Sequence, residues 1–296
     1  MHSFDEYLFT QFEESLVRTG LAATTVVNYM ADLRCFARWL EDQPSVNGRL
    51  LGVQMEDIQC YQESVGGEGP APSTINRRVH AIRKFYEFAM AEGMLAANPA
   101  RDVRPLPRLE IVPRRALTDE GRRALLDVIH GIARSSLLKR DYAIILLLLG
   151  TGVKVSELVE LQLEDVEFLG RAGYLLVGQR RMDGGRCVSL SPAVCEALKE
   201  YLQVRPRVPD VHYLFLRQGG RSLSPRRVQG LVQTYARAAH LEGVTAQLLR
   251  NTFALTMLEA TEDVSLVAEL LGHRRVETTA QRYLSIVHSL QSIVRA

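Results

Sequence analysis

Four prolines, Pro99, Pro105, Pro107 and Pro113, limit the fold of this chain more than any other feature. Proline has no amide donor, and its ring clashes with the preceding helical turn, so no helix can run through this stretch. The segment NPARDVRPLPRLEIVPRR therefore reads as a stiff extended connector between separately folded bodies. The 296 residues are enough for two domains, and the boundary is placed between residues 105 and 106.

Before that boundary the periodicity is helical throughout. In NYMADLRCFARWL, Tyr29, Leu33, Phe36 and Leu40 fall at i, i+4, i+7 and i+11, one helix face. In STINRRVHAIRKFYEFAM, Ile75, Val79, Ile82 and Tyr86 repeat the seam, and Arg77, His80 and Lys84 stand on the opposite face. Two readings of that basic trio stay open: a solvated face, or a face turned to phosphates while its reverse packs.

After the connector, Thr118 is placed as the N-cap of a helix through ALLDVI. Asp141–Leu149 predicts a buried helix, since the apolar run AIILLLL is far too short to span a bilayer. A break at Gly150–Thr151–Gly152 precedes a short helix in SELVEL. The β-type runs YLLVG and RCVSLS flank QRRMDGG and predict a hairpin with a basic tip. Ser224–Pro225 starts another helix, and Gly272 stops a later one. Helices, a small antiparallel element, then helices again describe a mainly α protein.

Composition narrows the function. Hydrophobic residues at 47% support a sizeable core and argue against disorder. The N-terminal MHSFDEYLF lacks the basic start of a signal peptide, so a cytoplasmic location is expected. Cys35, Cys60, Cys187 and Cys195 form no C-x-x-C pair, and no histidine sits at metal-ligand spacing, so neither metal nor cofactor is expected. The net charge of +2 hides an asymmetry: residues 1–105 carry ten basic against fourteen acidic side chains, and residues 106–296 carry 26 against 20. Only Lys84, Lys139, Lys154 and Lys199 are lysine; the rest of the basic set is arginine, paired at Arg114–Arg115, Arg180–Arg181, Arg226–Arg227 and Arg274–Arg275. Arginine's planar fork suits phosphate, though such pairs also occur on solvated helix faces.

Four segments carry a resemblance. GTGVKVSELVEL resembles GTGLRxSEL, and VGQRRMDGGRCVSL is similar to a strand–turn–strand with lysine at its tip. TAQLLRNTFALTML resembles HxLRHTFAT, and LLGHRRVETTAQRY matches LLGHxxxxTTxxY at every defined position. All four resemble motifs of the tyrosine recombinases (phage-integrase family), in a layout similar to its short Xer-like members. TTVVNYMADLRCFARWL and the segment from INRRVHAIRKFYEFAM to NPA also resemble that family's first, DNA-clamping domain. The resemblance implies a helical core-binding (SAM-like) domain over 1–105 and a catalytic domain over 106–296, forming a C-shaped clamp on double-stranded DNA. It implies attack by a tyrosine hydroxyl on a phosphodiester, a 3′-phosphotyrosyl link and a free 5′-hydroxyl, with no ATP or metal. The chain has no G-x-x-x-x-G-K-[ST] motif, as that chemistry allows.

Carried over residue by residue, the resemblance makes Tyr283 the nucleophile, Arg250 the second arginine and His273 the second histidine-type group. Lys154 stands for the first arginine, keeping its charge but losing the bidentate fork. Gln247 replaces the histidine of HxLR and can donate a hydrogen bond but carry no proton. Arg181 falls on the lysine position with Arg180 beside it; arginine keeps its proton and is a poor general acid. Asn251 replaces the histidine after Leu–Arg and is read as a lost structural contact. The expected DNA-contacting set is Arg77, His80, Lys84, Arg180, Arg226, Arg227 and Arg274.

Three function classes follow. One is a site-specific recombinase or integrase of reduced or unusual activity; the second is a DNA-binding accessory or architectural factor that has lost cleavage. The third, a helical scaffold that binds no DNA, is disfavoured because the basic excess sits on the matching segments. Retention of Tyr283, Arg250 and His273 favours the first. Ile286, Leu290 and Ile293 form an apolar stripe after the tyrosine, and the family works as four protomers on paired sites. A tetramer joined through its last helix, with a partner recombinase where it is not all one chain, is the expected assembly, on nucleoid DNA and away from membranes.

Overall fold

Helices α1 (Ser3–Arg18), α2 (Ala23–Glu41), α3 (Met55–Val65) and α4 (Pro72–Ala91) bring their apolar seams together. The computed structural model describes residues 3–43, 49–66, 70–107, 116–130, 135–178, 185–273, 275–280 and 283. The chain divides into two units, Met1–Glu110 and Ile111–Ala296. In the first, Leu33, Phe36 and Leu40 of α2 and Ile75, Val79, Ile82 and Tyr86 of α4 are all buried. Tyr29, at the edge of the seam, is half-buried. Phe12 meets Phe85 edge-on at 5.5 Å, and Phe36 meets Tyr61 at 5.0 Å, contacts that add to burial through ring quadrupoles.

The described part of the connector does not stand free as a spacer. Asn76 of α4 donates Nδ2–H to Leu106 O (2.9 Å) and accepts from Leu106 N–H at 2.7 Å. Arg83 donates to Ala100 O and Val103 O, both at 2.9 Å, and Gln62 donates to Arg104 O at 3.0 Å. The physical reason lies in the prolines: a segment that cannot close its own ladder leaves carbonyls for side chains to claim.

The second unit holds α5 (Asp119–His130), α6 (Ser136–Thr151), α7 (Val155–Leu158), α8 (Pro192–Val204), α9 (Pro225–Ala238), α10 (Ala246–Thr261) and α11 (Val264–Leu271). Between α7 and α8 lies an antiparallel sheet of β1 (Val166–Leu169), β2 (Ala172–Val177) and β3 (Arg186–Leu190), in that order. Thr118 caps α5 as expected, accepting from Gly121 N–H at 3.1 Å. Helix α6 is the centre of the unit, with Ala143–Leu148 buried against α8 and α10.

Three differences from the sequence expectation are informative. The break expected at Gly150–Thr151–Gly152 narrows to Gly152, because Thr151 stays helical and donates Oγ1–H to Leu147 O. The hairpin gains a third strand, β1, whose four residues VEFL bury neither face fully and so give little periodic signal. Helix α8 begins with Ser191 as N-cap and Pro192 in the first turn, the same signal that marks Ser224–Pro225. Arg180, Arg181, Arg274 and the stripe Ile286, Leu290 and Ile293 lie outside the described residues. No described helix is long and apolar enough to cross a membrane.

The Asn76 strap gives a direct test. Asn76→Ala removes both bonds to Leu106 and should cost about 1–3 kcal/mol of first-unit stability. Hydrogen exchange of the Leu106 amide should accelerate by about tenfold or more. An unchanged rate would show that the strap holds nothing.

Candidate active site

Arg250 is set into the second unit with 4% of its surface exposed. A buried guanidinium needs acceptors on each of its edges. Nη1 donates to Gly152 O, the residue that ends α6. Nη2 donates to Leu271 O at 2.6 Å and stands 3.4 Å from His273 Nε2. Gly152 has φ +61°, and a Cβ there would lie 2.3 Å from the Phe253 ring, so no other residue offers its carbonyl from this place. The second edge of the His273 ring meets Thr279 Oγ1 at 2.7 Å.

Lys154 stands at the start of α7, where its N–H donates to Glu157 Oε2 at 2.8 Å. Its ammonium lies 3.6 Å from Glu157 Oε1, and its side chain is half-exposed. Partial burial, with the Arg250 and Arg186 cations, holds the Lys154 amine below its ordinary value despite the pull of Glu157. Glu157 is itself buried. Burial alone would raise its pKa, but the bonds from Arg186 and from the Lys154 backbone bring it to about 2. Arg186, the first residue of β3, donates to Oε1 at 3.0 Å and Oε2 at 2.8 Å, and its Nε donates to Leu270 O at 2.7 Å.

Gln247 lies one turn before Arg250 on α10. Its Nε2 donates to Asn251 Oδ1 at 3.0 Å, and Tyr283 Oη donates to the same oxygen at 3.1 Å. Asn251 therefore holds two contacts, which corrects the reading of it as a lost one: an amide oxygen accepts two donors at once. Tyr283 has no exposed surface and packs with Phe253, Ala254, Leu255, Leu258, Val267 and Leu271.

A pocket of about 400 Å³ opens beside these groups. Lys154, Gln247 and Arg250 line it, with Thr245 and Ala246 from the start of α10 and Pro225 from the start of α9. Thr245 caps α10, accepting from Leu248 N–H at 3.1 Å. A helix amino end with two cations beside it favours negative charge. Tyr283 and His273 do not line this pocket.

The other expected contacts are distributed differently. Arg226 and Arg227 are exposed on the first turn of α9, whose Pro225 and Gln229 line the pocket. In the first unit, Arg77 is ion-paired with Asp32, and Lys84 with Glu87 at 2.7 Å. Burial raises the Asp32 carboxyl despite the Arg77 and Arg78 cations. His80 meets Tyr29 edge-on at 5.8 Å; burial first, then Lys84 and Arg83, hold it below its ordinary value. Sequence reasoning passed over Glu157, Arg186 and Thr279. Glu157 was within reach, since it sits three residues after Lys154 in a capping-box position.

Comparison with known proteins identifies the chain. The profile of the "Phage integrase family" matches residues 115–289, and that of the "Phage integrase, N-terminal SAM-like domain" matches residues 9–93. Tyrosine recombinase XerC of Neisseria meningitidis serogroup B (strain ATCC BAA-335 / MC58) is 32% identical over 268 residues, 90% of this chain and 86% of the relative. This chain belongs to the phage integrase family of tyrosine recombinases. A second relative, tyrosine recombinase XerD of Mycobacterium tuberculosis (strain ATCC 25618 / H37Rv), is 31% identical over 299 residues, 94% of this chain and 92% of the relative. Among solved structures, XerH site-specific recombinase bound to difH substrate in a pre-cleavage complex matches with a TM-score of 0.73 and 21% identity, over 93% of this chain and 80% of that one. A lambda integrase dimer bound to a COC′ core site matches with a TM-score of 0.70 and 18% identity, over 94% and 76%. Both give the phage-integrase fold to this mainly α chain and its small antiparallel sheet.

The Glu157 geometry sets a pH dependence. Its pKa falls from an ordinary 4.5 to about 2 in the folded protein, so its stabilisation is complete above the unfolded value. That stabilisation, on the order of 3 kcal/mol, is lost as pH falls through about 2. Glu157→Gln should therefore be destabilised relative to the parent at pH 7, with the gap closing toward pH 2. Urea unfolding at both pH values measures it, and a pH-independent gap would refute the assignment.

Proposed function

We propose that this chain is a site-specific recombinase that cuts and rejoins duplex DNA through a 3′-phosphotyrosyl link on Tyr283. One observation carries the reading: Lys154, Gln247 and Arg250 converge on one pocket at the amino end of α10, and Tyr283 and His273 are hydrogen-bonded to side chains of that helix. The Tyr283 hydroxyl gives up its proton as its oxygen bonds to phosphorus, the P–O5′ bond breaks with the 5′-oxygen taking up a proton in exchange, and a second strand's 5′-hydroxyl reverses the step. Lys154 and Arg250 hold the non-bridging oxygens as charge builds, Arg250 already fixed by its two carbonyls. His273, oriented through Thr279, aligns the phosphate and moves protons. Gln247 donates a hydrogen bond without proton transfer, and Arg181, with Arg180, supplies charge near the leaving oxygen. A missing general acid costs about 10²–10⁴ in rate, so cleavage is expected to be slow.

A hydroxyl with no exposed surface cannot meet a phosphodiester where it stands. Tyr283 must leave its packing when DNA binds. Arg226, Arg227 and Arg274 from the second unit, and Arg77, His80 and Lys84 from α4, contact the backbone of a DNA duplex. Arg77 and Lys84 exchange Asp32 and Glu87 for phosphate in doing so. The stripe Ile286, Leu290 and Ile293 joins four protomers on paired sites, with itself or a partner recombinase, on nucleoid DNA in the cytoplasm. The buried tyrosine and the three replaced positions favour a second reading, an accessory DNA-binding factor without cleavage.

Strand cleavage decides between them. Incubated with a pool of nicked duplexes of randomised sequence and then denatured, the parent should yield a covalent adduct that Tyr283→Phe abolishes while DNA binding persists. An adduct surviving Tyr283→Phe would overturn the nucleophile, and no adduct from the parent would leave the accessory reading.

The α4 face has its own test. Replacing Arg77 and Lys84 together by Ala should lower the slope of log affinity against log salt by about one per lost phosphate contact. An unchanged slope would make this a solvated face.

A further inference from the structure

Two cations compete for one carboxylate beside the pocket. Arg186 engages both Glu157 oxygens at 2.8 and 3.0 Å, whereas the Lys154 ammonium makes a longer ion pair with Oε1 alone, at 3.6 Å. Lys154 lines the pocket; Glu157 and Arg186 do not. Glu157 cannot serve as a solvent-exposed counter-ion, since its side chain is 5% exposed, so its charge must be met by whichever cation is nearest. Arg186 is itself pinned by its third bond, Nε to Leu270 O, one residue before the carbonyl that Arg250 uses. A Cβ on Gly272 would lie 2.7 Å from Arg186 Nη1, so the backbone closes around the guanidinium.

We propose that Arg186 is a positioning residue acting through Glu157: by holding both carboxylate oxygens at hydrogen-bond distance, it keeps the Lys154–Glu157 ion pair long and leaves the ammonium available to the phosphate pocket. This rests on the reading that Lys154 holds the attacked phosphate. Among the described residues, the charged groups around Lys154 are Glu157 of α7, Arg250 from α10 and Arg186 from β3. Removing Arg186 deletes one repelling cation and frees one attracting carboxylate, so both effects draw Lys154 the same way. Neutralising Glu157 in that background removes the attraction, and glutamine keeps an oxygen for the Lys154 N–H. The two substitutions together should therefore be better than the first alone, the reverse of what two lost structural contacts would give.

The test uses the full chain as parent, Arg186→Met, Arg186→Lys and Arg186→Met with Glu157→Gln. With only four lysines, limiting acetic anhydride followed by mass spectrometry reads Lys154 against Lys84, Lys139 and Lys199 as internal standards. Lys154 labelling should fall about threefold or more in Arg186→Met, as its amine holds its proton more tightly, and return in the double variant. Adduct formation on the nicked-duplex pool should fall about tenfold in Arg186→Met and recover in large part in the double variant. Should Arg186→Met not fold, Arg186→Lys carries the comparison, since one ammonium meets only one Glu157 oxygen and Lys154 labelling should fall partway. Unchanged or raised Lys154 labelling, or a double variant as slow as Arg186→Met, would reduce Arg186 to a fold contact. If the parent forms no adduct, the cleavage reading fails by itself, and the labelling still decides the role of Arg186.

Discussion

A guanidinium withdrawn from water has to find its acceptors in the protein, and Arg250 finds them at the ends of helices. Helix carboxyl ends carry carbonyls with no partner inside the helix and the negative pole of its dipole. Arg250 answers Gly152 O at the end of α6 and Leu271 O at the end of α11. Arg186 takes Leu270 O on the same last turn. Breaking such a buried arrangement strands a charge, a loss of about 3–5 kcal/mol. Three helices and one strand edge are thus tied by two arginines, and the pocket beside α10 inherits its shape from them. Gly152 and Gly272 follow from the same demand, since both turns are left-handed and both lie where a side chain would strike a neighbour.

Gln247, Asn251 and Lys154 gain a different meaning beside this frame. Gln247 and Asn251 are neutral amides one turn apart, and together they hold Tyr283 through one shared oxygen. Histidine at either position would add a proton that titrates near neutrality. Neither amide of the pair that holds the tyrosine hydroxyl changes its own charge with pH. Lys154, by contrast, has an adjustable proton, and partial burial, with the Arg250 and Arg186 cations, lowers the cost of giving it up despite Glu157. In this pocket, lysine in place of arginine exchanges a rigid fork for a group whose charge responds to its surroundings.

What could be read ahead of the structure was local. The seams of α2 and α4 were legible because Leu33, Phe36, Ile75 and Val79 repeat at helical spacing, and that repeat is what the core buries. Gly272 was legible as a stop because a left-handed cap favours glycine. Pairings across sequence were not. Nothing in the segment around Arg77 announces Asp32, 45 residues away, nor does Arg186 announce Glu157, 29 residues away. The burial of Tyr283 was hidden for the same reason, since it depends on Asn251, 32 residues earlier, and on a cluster gathered from α10 and α11.

That burial has an energetic consequence for the proposed chemistry. A tyrosine drawn out to a phosphate leaves a vacancy among Phe253, Leu255, Leu258, Val267 and Leu271. Losing a large aromatic side chain from a packed core costs about 3–5 kcal/mol when the site cannot collapse. The covalent state would carry that debt for as long as it lasts, and rejoining the strand would discharge it. The core itself would then act as a return spring, biasing the enzyme against leaving broken DNA behind.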